Sequence, residues 1–421
     1  MLPKMIRIRQ LKRAAPALAD VGGAVRAAIG ALYPSPPDLR GKTVGIAVGS
    51  RGIDQLPGLV RAVIAYIREA GGEPCVFPAM GCHGGGTEAG QLDVLEGLGI
   101  TPETMGIPVR PCARNTLAGE TASGDPVQYS SIVAEFDHIV LLNRVKSHTD
   151  FSSETESGLL KMLTIGIGNP AGCMAAHKHA LTNGYGEVIR EIAFAMLERL
   201  PVLFGVMVTE NWKGEAEHVE ASLPGDFYER EKRLLARAKE SAAKLPAERL
   251  DVLVIREMGK NISGTGMDTK VIGRIGIFGQ KECETPVISR VVVLDLTDES
   301  HGNAIGLGLA DFATKRLYDK LDINATSLNA ISSMAPEQGR LACYAASDRQ
   351  AVEAAVASIG EPPADSLRMI IIKNTSRLEE MYVSEALYAE LRAGDAVEAL
   401  GGPVELAFNE QGDLAGLFGV A

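Results

Sequence analysis

Residues 148–179 read H-T-D-F-S-S-E-T-E-S-G-L-L-K-M-L-T-I-G-I-G-N-P-A-G-C-M-A-A-H-K-H and hold His148, His177 and His179, three of the chain's seven histidines. Lys161 opens a glycine-punctuated apolar run to Gly168 that reads as buried. A lysine at the edge of such a run must leave its ammonium exposed, paired, neutralised or covalently modified, because an unpaired buried charge is costly. A further histidine, His83, lies in the loop Gly81-Cys82-His83-Gly84-Gly85-Gly86-Thr87. Glycines let the backbone approach a ligand closely and offer N–H groups to an anion. Two histidines converging from separate strand ends suit paired acid and base work near neutral pH. That names His83 and His148, with Asp150 placed to orient the second. Arg51, in Gly49-Ser50-Arg51-Gly52, suits bidentate binding of a carboxylate or phosphate. His177 and His179 are two residues apart and cannot share a helical face, so at most one enters a site. His138 and His218 read as structural.

The elements that must position these groups read as α/β. Thr43 to Val48 is a buried-strand pattern, Leu56 to Ala70 an amphipathic helix, and Glu73 to Pro78 a second strand. Asp137 to Leu142 is a third strand, ending just before His148. Strands alternating with helices predict a mainly parallel sheet, whose ligands bind at loops beyond the carboxyl ends of the strands. Val21 to Leu32, Gln91 to Leu98 and Gly184 to Leu200 read as helices, and Val202 to Val208 as a strand. Asp226 to Lys244 is a strongly charged helix whose charges read as a solvated face. Leu245-Pro246 then precedes a new strand, Leu250 to Ile255, so a domain boundary is placed near residue 245. Two α/β domains, 1–245 and 246–421, are expected, with an active-site cleft between them. In the second, Arg290 to Leu296 and Leu367 to Lys373 are strands, and Ala310 to Leu321 and Gln350 to Ile359 are helices. The loops with Lys260, Asn261 and Ser263, and with His301 and Asn303, are candidate substrate contacts. Pro403 to Phe408 with the turn Asn409 to Gly412 reads as a hairpin able to pack on either domain, the first included.

Composition narrows the function classes. At 421 residues the chain is too long for one ordinary core. A net charge of −11 argues against a nucleic-acid binder, which needs a basic face. The six cysteines (75, 82, 112, 173, 283 and 343) form no C-x-x-C pair. Disulfide scaffolds and cysteine zinc sites are therefore not expected, and reduced buried thiols are. No apolar stretch has transmembrane length and no signal peptide is evident, so a cytoplasmic enzyme is expected. No P-loop motif occurs. Gly166-x-Gly168-x-x-Ala171 is only a weak match to a dinucleotide fingerprint.

Taken together, the ordered motifs of the first domain resemble the lactate racemases that carry a nickel-pincer nucleotide. The matching elements are Gly49-Ser50-Arg51, the His83 loop, Lys146-Ser147-His148, the segment Ser157 to Ile167 around Lys161, and His177, sixteen residues beyond that lysine. The resemblance implies a nickel complex of a pyridinium thioamide/thiocarboxylate mononucleotide joined covalently to Lys161, with His177 as the nickel ligand. It implies His83 and His148 as the acid/base pair, Arg51 as the substrate-carboxylate contact, and Gly84, Gly85 and Thr87 beside the cofactor. The implied activity is inversion of C2 of a 2-hydroxy acid, an isomerase reaction. Partners would be the small-molecule substrate and the cofactor-making enzymes, with no nucleic acid or membrane, in a monomer or a homo-oligomer. Val48 and Ile165 depart from the family pattern, which leaves the hydroxy acid open. Three other readings remain: a hydrolase with a zinc site of His83, His148 and His177, a non-catalytic small-anion binding protein, and a dinucleotide-dependent dehydrogenase.

Overall fold

The computed structural model describes residues 2–11, 17–33, 35–50, 52–394 and 396–418. The chain divides into two compact units, one of residues 15–148 and 152–242, the other of residues 1–14, 149–151 and 243–421. Both are α/β with mainly parallel sheets. Strand β1 (Met5–Gln10) belongs to the second unit and is described with it.

The first unit contains β2 (Thr43–Val48), β3 (Glu73–Pro78), β4 (Asn115–Glu120), β5 (Pro126–Ser130), β6 (His138–Arg144), β7 (Val202–Glu210) and β8 (Ala216–Ser222). Its main sheet has the order β3-β2-β6-β7-β8, parallel except for the edge strand β8. Strands covered on both faces need unbroken apolar runs, which is why T-V-G-I-A-V and H-I-V-L-L are strands. Val44, Ile46, Ala47, Val48 and the stretch Ile139 to Leu142 are buried. The helices are α1 (Val21–Leu32), α2 (Leu56–Glu69), α3 (Glu88–Gly97), α4 (Pro102–Met105), α5 (Leu159–Lys161), α6 (Asn169–Asn183), α7 (Tyr185–Leu197) and α8 (Phe227–Ser241). Asp20 caps α1 by accepting from the Gly23 N–H at 2.8 Å. Buried faces of α1 and α2 pack with Ile46, Val140 and Phe204 into one core.

The second unit holds β9 (Arg249–Ile255), β10 (Val287–Val293), β11 (Phe312–Thr314), β12 (Cys343–Ala345), β13 (Met369–Ile372), β14 (Glu380–Ser384), β15 (Val397–Ala399), β16 (Ala407–Phe408) and β17 (Leu414–Ala415). Its eight-stranded sheet runs β12-β11-β10-β9-β13-β14-β1-β15.

One local expectation is corrected, and the structure places two further stretches. The basic N-terminus, to which no element was assigned, forms β1, antiparallel to β14 and β15. Met5 and Ile8 are buried while Arg7 and Arg9 both reach Glu380, at 2.6 and 2.7 Å. Residues 310–321, read as one helix, form β11 and then a short helix Lys315–Lys320 capped by Thr314, because pairing with β10 and β12 overrides local helical preference. The tail hairpin, β16 and β17, places Leu414 and Leu417 in the core of its own unit, beside Val252 and Val254.

Candidate functional site

Three parallel strands, β2, β3 and β6, end on the same side of the first unit's sheet and deliver Gly49-Ser50, Ala79 to His83, and Asn143 to His148. A cleft of about 130 Å³ opens there, lined by Ser50, His83, Arg144, Lys146, Lys161 and glycines 49 and 166, among others. It sits where such sheets bind ligands.

Lys161 reaches the cleft from an unusual helix. After Gly158 the chain makes one α-turn, α5, then widens into a π-helical stretch, Met162–Ile167, and continues as α6. Every residue of the π stretch is buried, as the apolar run predicted. Such wide turns are frequent at functional sites. Gly166 is the only size that fits at its position, since a Cβ there would press on the Ala79 carbonyl, and its own carbonyl accepts from the Gly81 N–H at 3.0 Å. The lysine segment is thereby tied to the His83 loop.

The start of this helix is held from behind by Glu231 of α8. The Glu231 carboxylate accepts from the backbone N–H groups of Leu159 and Leu160, at 2.6 and 3.2 Å. Gly158 lacks a Cβ where the carboxylate lies; any side chain there would overlap it. Glu231 is fully buried, and desolvation pushes its pKa up to about 7 against the pull of the two N–H groups. The reading of α8 as a solvated charged face is thus corrected at this residue.

His148 is fixed by a second carboxylate. The excursion after β6 is pinched at its base by reciprocal backbone bonds between Lys146 and Ser157, 3.1 and 3.2 Å long. Buried Glu156 then accepts from the His148 N–H at 2.7 Å, the Ser153 N–H at 3.2 Å and Lys239 Nζ of α8 at 2.6 Å. Glu156, rather than Asp150, therefore holds the His148 backbone. The His148 ring Nε2 meets Lys161 Nζ at 2.5 Å. An ammonium donating there requires Nε2 to be the unprotonated nitrogen of a neutral ring.

His177 lies half-buried on α6, with its Nδ1 against the Tyr185 hydroxyl at 3.1 Å and its ring edge-on to that tyrosine. His179 points elsewhere, pairing with buried Asp125 at 2.5 Å, and His218 approaches Glu220. Within the His83 loop, Gly84, Gly85 and Gly86 all have positive φ. Gly84 packs so closely on Gly90 that neither tolerates a side chain, and Thr87 caps α3 through the Gly90 N–H. The Gly86 and Thr87 N–H groups turn back onto the His83 and Gly84 carbonyls. In the second unit Lys260 Nζ donates to the Gly264 carbonyl and Asn329, at 2.6 and 2.9 Å, and Asn261 accepts from Thr297. His301 is exposed at the end of a 3₁₀ turn. Arg51 lies outside the described residues.

No family model matches the chain, and no curated protein matches it. Solved structures do. A protein from Thermotoga maritima superimposes with a TM-score of 0.51 and 12% identity, over 77% of this chain and 87% of that one. The lactate racemase apoprotein from Thermoanaerobacterium thermosaccharolyticum does so with a TM-score of 0.52 and 12% identity, over 89% of this chain and 99% of that one. The fold is similar to that of this lactate racemase apoprotein.

Within this lactate racemase-like fold two other readings lose ground. Gly166 and Gly168 lie in a π-helix and at a helix start, not in a turn between strand and helix, so the dinucleotide fingerprint lacks its context. Among the described residues no three His, Cys, Asp or Glu side chains converge to hold a metal, so His83, His148 and His177 do not form a zinc site by themselves. No helix of the described residues is long and apolar enough to cross a membrane. Sequence reasoning gave no role of their own to four residues. Arg144 and Lys146 line the cleft, Arg144 in an ion pair with Glu210; their place at the end of a strand was a usable signal. Glu231 acts on backbone more than 70 residues away, and Glu156 on the backbone of its own loop, and neither is marked by a local pattern.

Proposed function

We propose that the chain is a racemase or epimerase inverting C2 of a 2-hydroxy acid, working with a nickel-pincer nucleotide joined to Lys161. The observation that carries this reading is the 2.5 Å contact of Lys161 Nζ with His148 Nε2, where Lys161 lines the same cleft as His83. An amine acylates only when neutral, and His148 is a base in direct reach of its proton. His177 fits a metal ligand: its Nδ1 is engaged by Tyr185, the outer contact by which metal-binding histidines fix their rings. The shared fold with a lactate racemase supports the reading.

When bound, the nucleotide supplies a reversible hydride acceptor, which avoids removing the weakly acidic C2 proton of a hydroxy acid. The chain's own task is then proton handling and orientation. One of His83 and His148 takes the hydroxyl proton as C2 becomes planar, and the other returns a proton to the oxygen when the opposite face is reduced. Inversion needs both, because one base serves one face. Arg144 and Lys146 at the cleft supply cationic donors for the substrate carboxylate; Arg51 is the residue to which the family resemblance gives the same contact.

The test is expression with the cofactor-making enzymes and nickel. Intact mass should show an adduct on Lys161 with about one nickel per chain, and a panel of single-enantiomer 2-hydroxy acids should show racemisation of one. Unmodified Lys161 without copurified nickel would refute the proposal. Small-anion binding with no metal and no turnover would favour the carrier reading instead.

A further inference from the structure

Two cysteines flank this site without a part in the proposed reaction. Cys82 precedes His83 and is exposed; Cys173 lies on α6, one helical turn before His177, and is buried. Their sulfurs are 3.8 Å apart, with the Cys173 thiol donating to Cys82 Sγ. That hydrogen bond, and then burial, push the Cys173 thiol pKa upward, so it remains protonated. The other four cysteines lie elsewhere: Cys75 on β3, Cys112 buried before β4, and Cys283 and Cys343 in the second unit.

We infer that Cys82 and Cys173 form an oxidation site that closes to a disulfide under hydrogen peroxide. The order of events follows from exposure. Peroxide reaches Cys82 first, giving sulfenic acid and releasing one water. The Cys173 sulfur then attacks Cys82 sulfur, its proton leaves with the hydroxyl as a second water, and the S–S bond forms. Two thiols and one peroxide become one disulfide and two waters, so atoms and electrons balance. A disulfide needs the sulfurs at about 2.05 Å, an approach of roughly 1.8 Å. The surroundings permit it. Gly81 has φ +61° and no side chain between Cys173 Sγ and the loop, and glycines 84–86 follow, all left-handed. The bond would join the histidine loop to α6, fixing His83 relative to the helix of His177. The cross-link itself is independent of the racemase proposal; its effect on turnover rests on that proposal.

The experiment treats the purified full-length chain with one to ten equivalents of hydrogen peroxide, blocks remaining thiols with N-ethylmaleimide, and maps peptides by mass spectrometry. The expected product is a Cys82–Cys173 cross-linked peptide two hydrogens lighter than its parts, removed by dithiothreitol. Cys173→Ala should lose it and let Cys82 proceed to sulfinic acid. Cys343→Ser, whose exposed thiol is in the other unit, should retain it. Sulfinic acid at Cys82 of the unmutated chain, with Cys173 still open to alkylation, would overturn the inference, as would Cys82 joined to any other cysteine. In the cofactor-loaded protein, racemisation should fall as the cross-link forms and recover with dithiothreitol. A reversible cross-link without turnover in either state supports the oxidation site and counts against the racemase reading alone.

Discussion

Each unit carries a lysine close to a glycine, Lys161 at the end of the short helix α5 and Lys260 in the loop after β9, and the two live in different surroundings. Lys161 meets an imidazole that can accept its proton, on a cleft floor shaped by glycines. Lys260 donates to a backbone carbonyl of its own loop and to Asn329, neither of which takes a proton. The first arrangement lets the amine react; the second fastens a loop. The residue type is the same in the two, and what distinguishes their chemistry is the acceptor that the fold brings to Nζ. Support differs too: α8 holds the Lys161 helix through Glu231 and the His148 loop through Lys239 and Glu156.

The comparison breaks most sharply if Lys161→Ala keeps activity. This variant should lose the adduct and drop to background turnover in the cofactor-loaded preparation, read by intact mass and a chiral assay. Next come the bases. His83→Ala should lower turnover by about 10²–10⁴-fold, as expected for a general acid/base group, while nickel content holds near the unmutated value. His148→Ala should lower turnover and also the fraction of Lys161 carrying the adduct, because His148 is the base in reach of that amine. Loss of nickel from His83→Ala with the Lys161 adduct retained would show that ligand and base have been exchanged.

Support from α8 is tested by stability. Glu231→Ala strands two buried N–H groups and should cost about 1–3 kcal/mol for each unsatisfied group, read by urea unfolding. The pH dependence has a definite sign. The folded-state pKa of Glu231 is raised to about 7 from 4.5, so the folded protein binds this proton more tightly than the unfolded chain. Its contribution is fully present below about pH 4.5 and is lost as pH rises through about 7. Glu231→Gln, which cannot ionise, should flatten the stability profile of the whole chain over that window; an unchanged slope would remove the buried carboxylate from the account. The smallest effect belongs to Lys260→Ala, which should cost about 0.5–1.5 kcal/mol of stability for a lost hydrogen bond and change KM by less than about tenfold. A larger rise in KM would make Lys260 a substrate contact after all.

The first unit's parallel strands were legible because each carries a short apolar run, the pattern that burial on both faces requires, and glycine or proline marks the ends of β2 and β3. β2 and β3 match their expected limits, and α1 matches as well. β1 was not legible: its alternating arginines acquire meaning only against Glu380, more than 370 residues away. In the site, His83, His148 and Lys161 stood out as titratable groups among glycines and strand ends. Glu231 did not, since a glutamate in a charged helix looks like any other until the helix packs.

By itself, then, the sequence determined the α/β alternation, the strand-end placement of the titratable groups and the buried run after Lys161, because periodicity and glycine placement are local properties. Tertiary structure decided which acceptor each lysine meets, which carboxylates hold the site from behind and which cysteines lie within reach of each other. Those depend on contacts across long stretches of chain, where burial alters the energy of a charge or a thiol far more than its neighbours in sequence do.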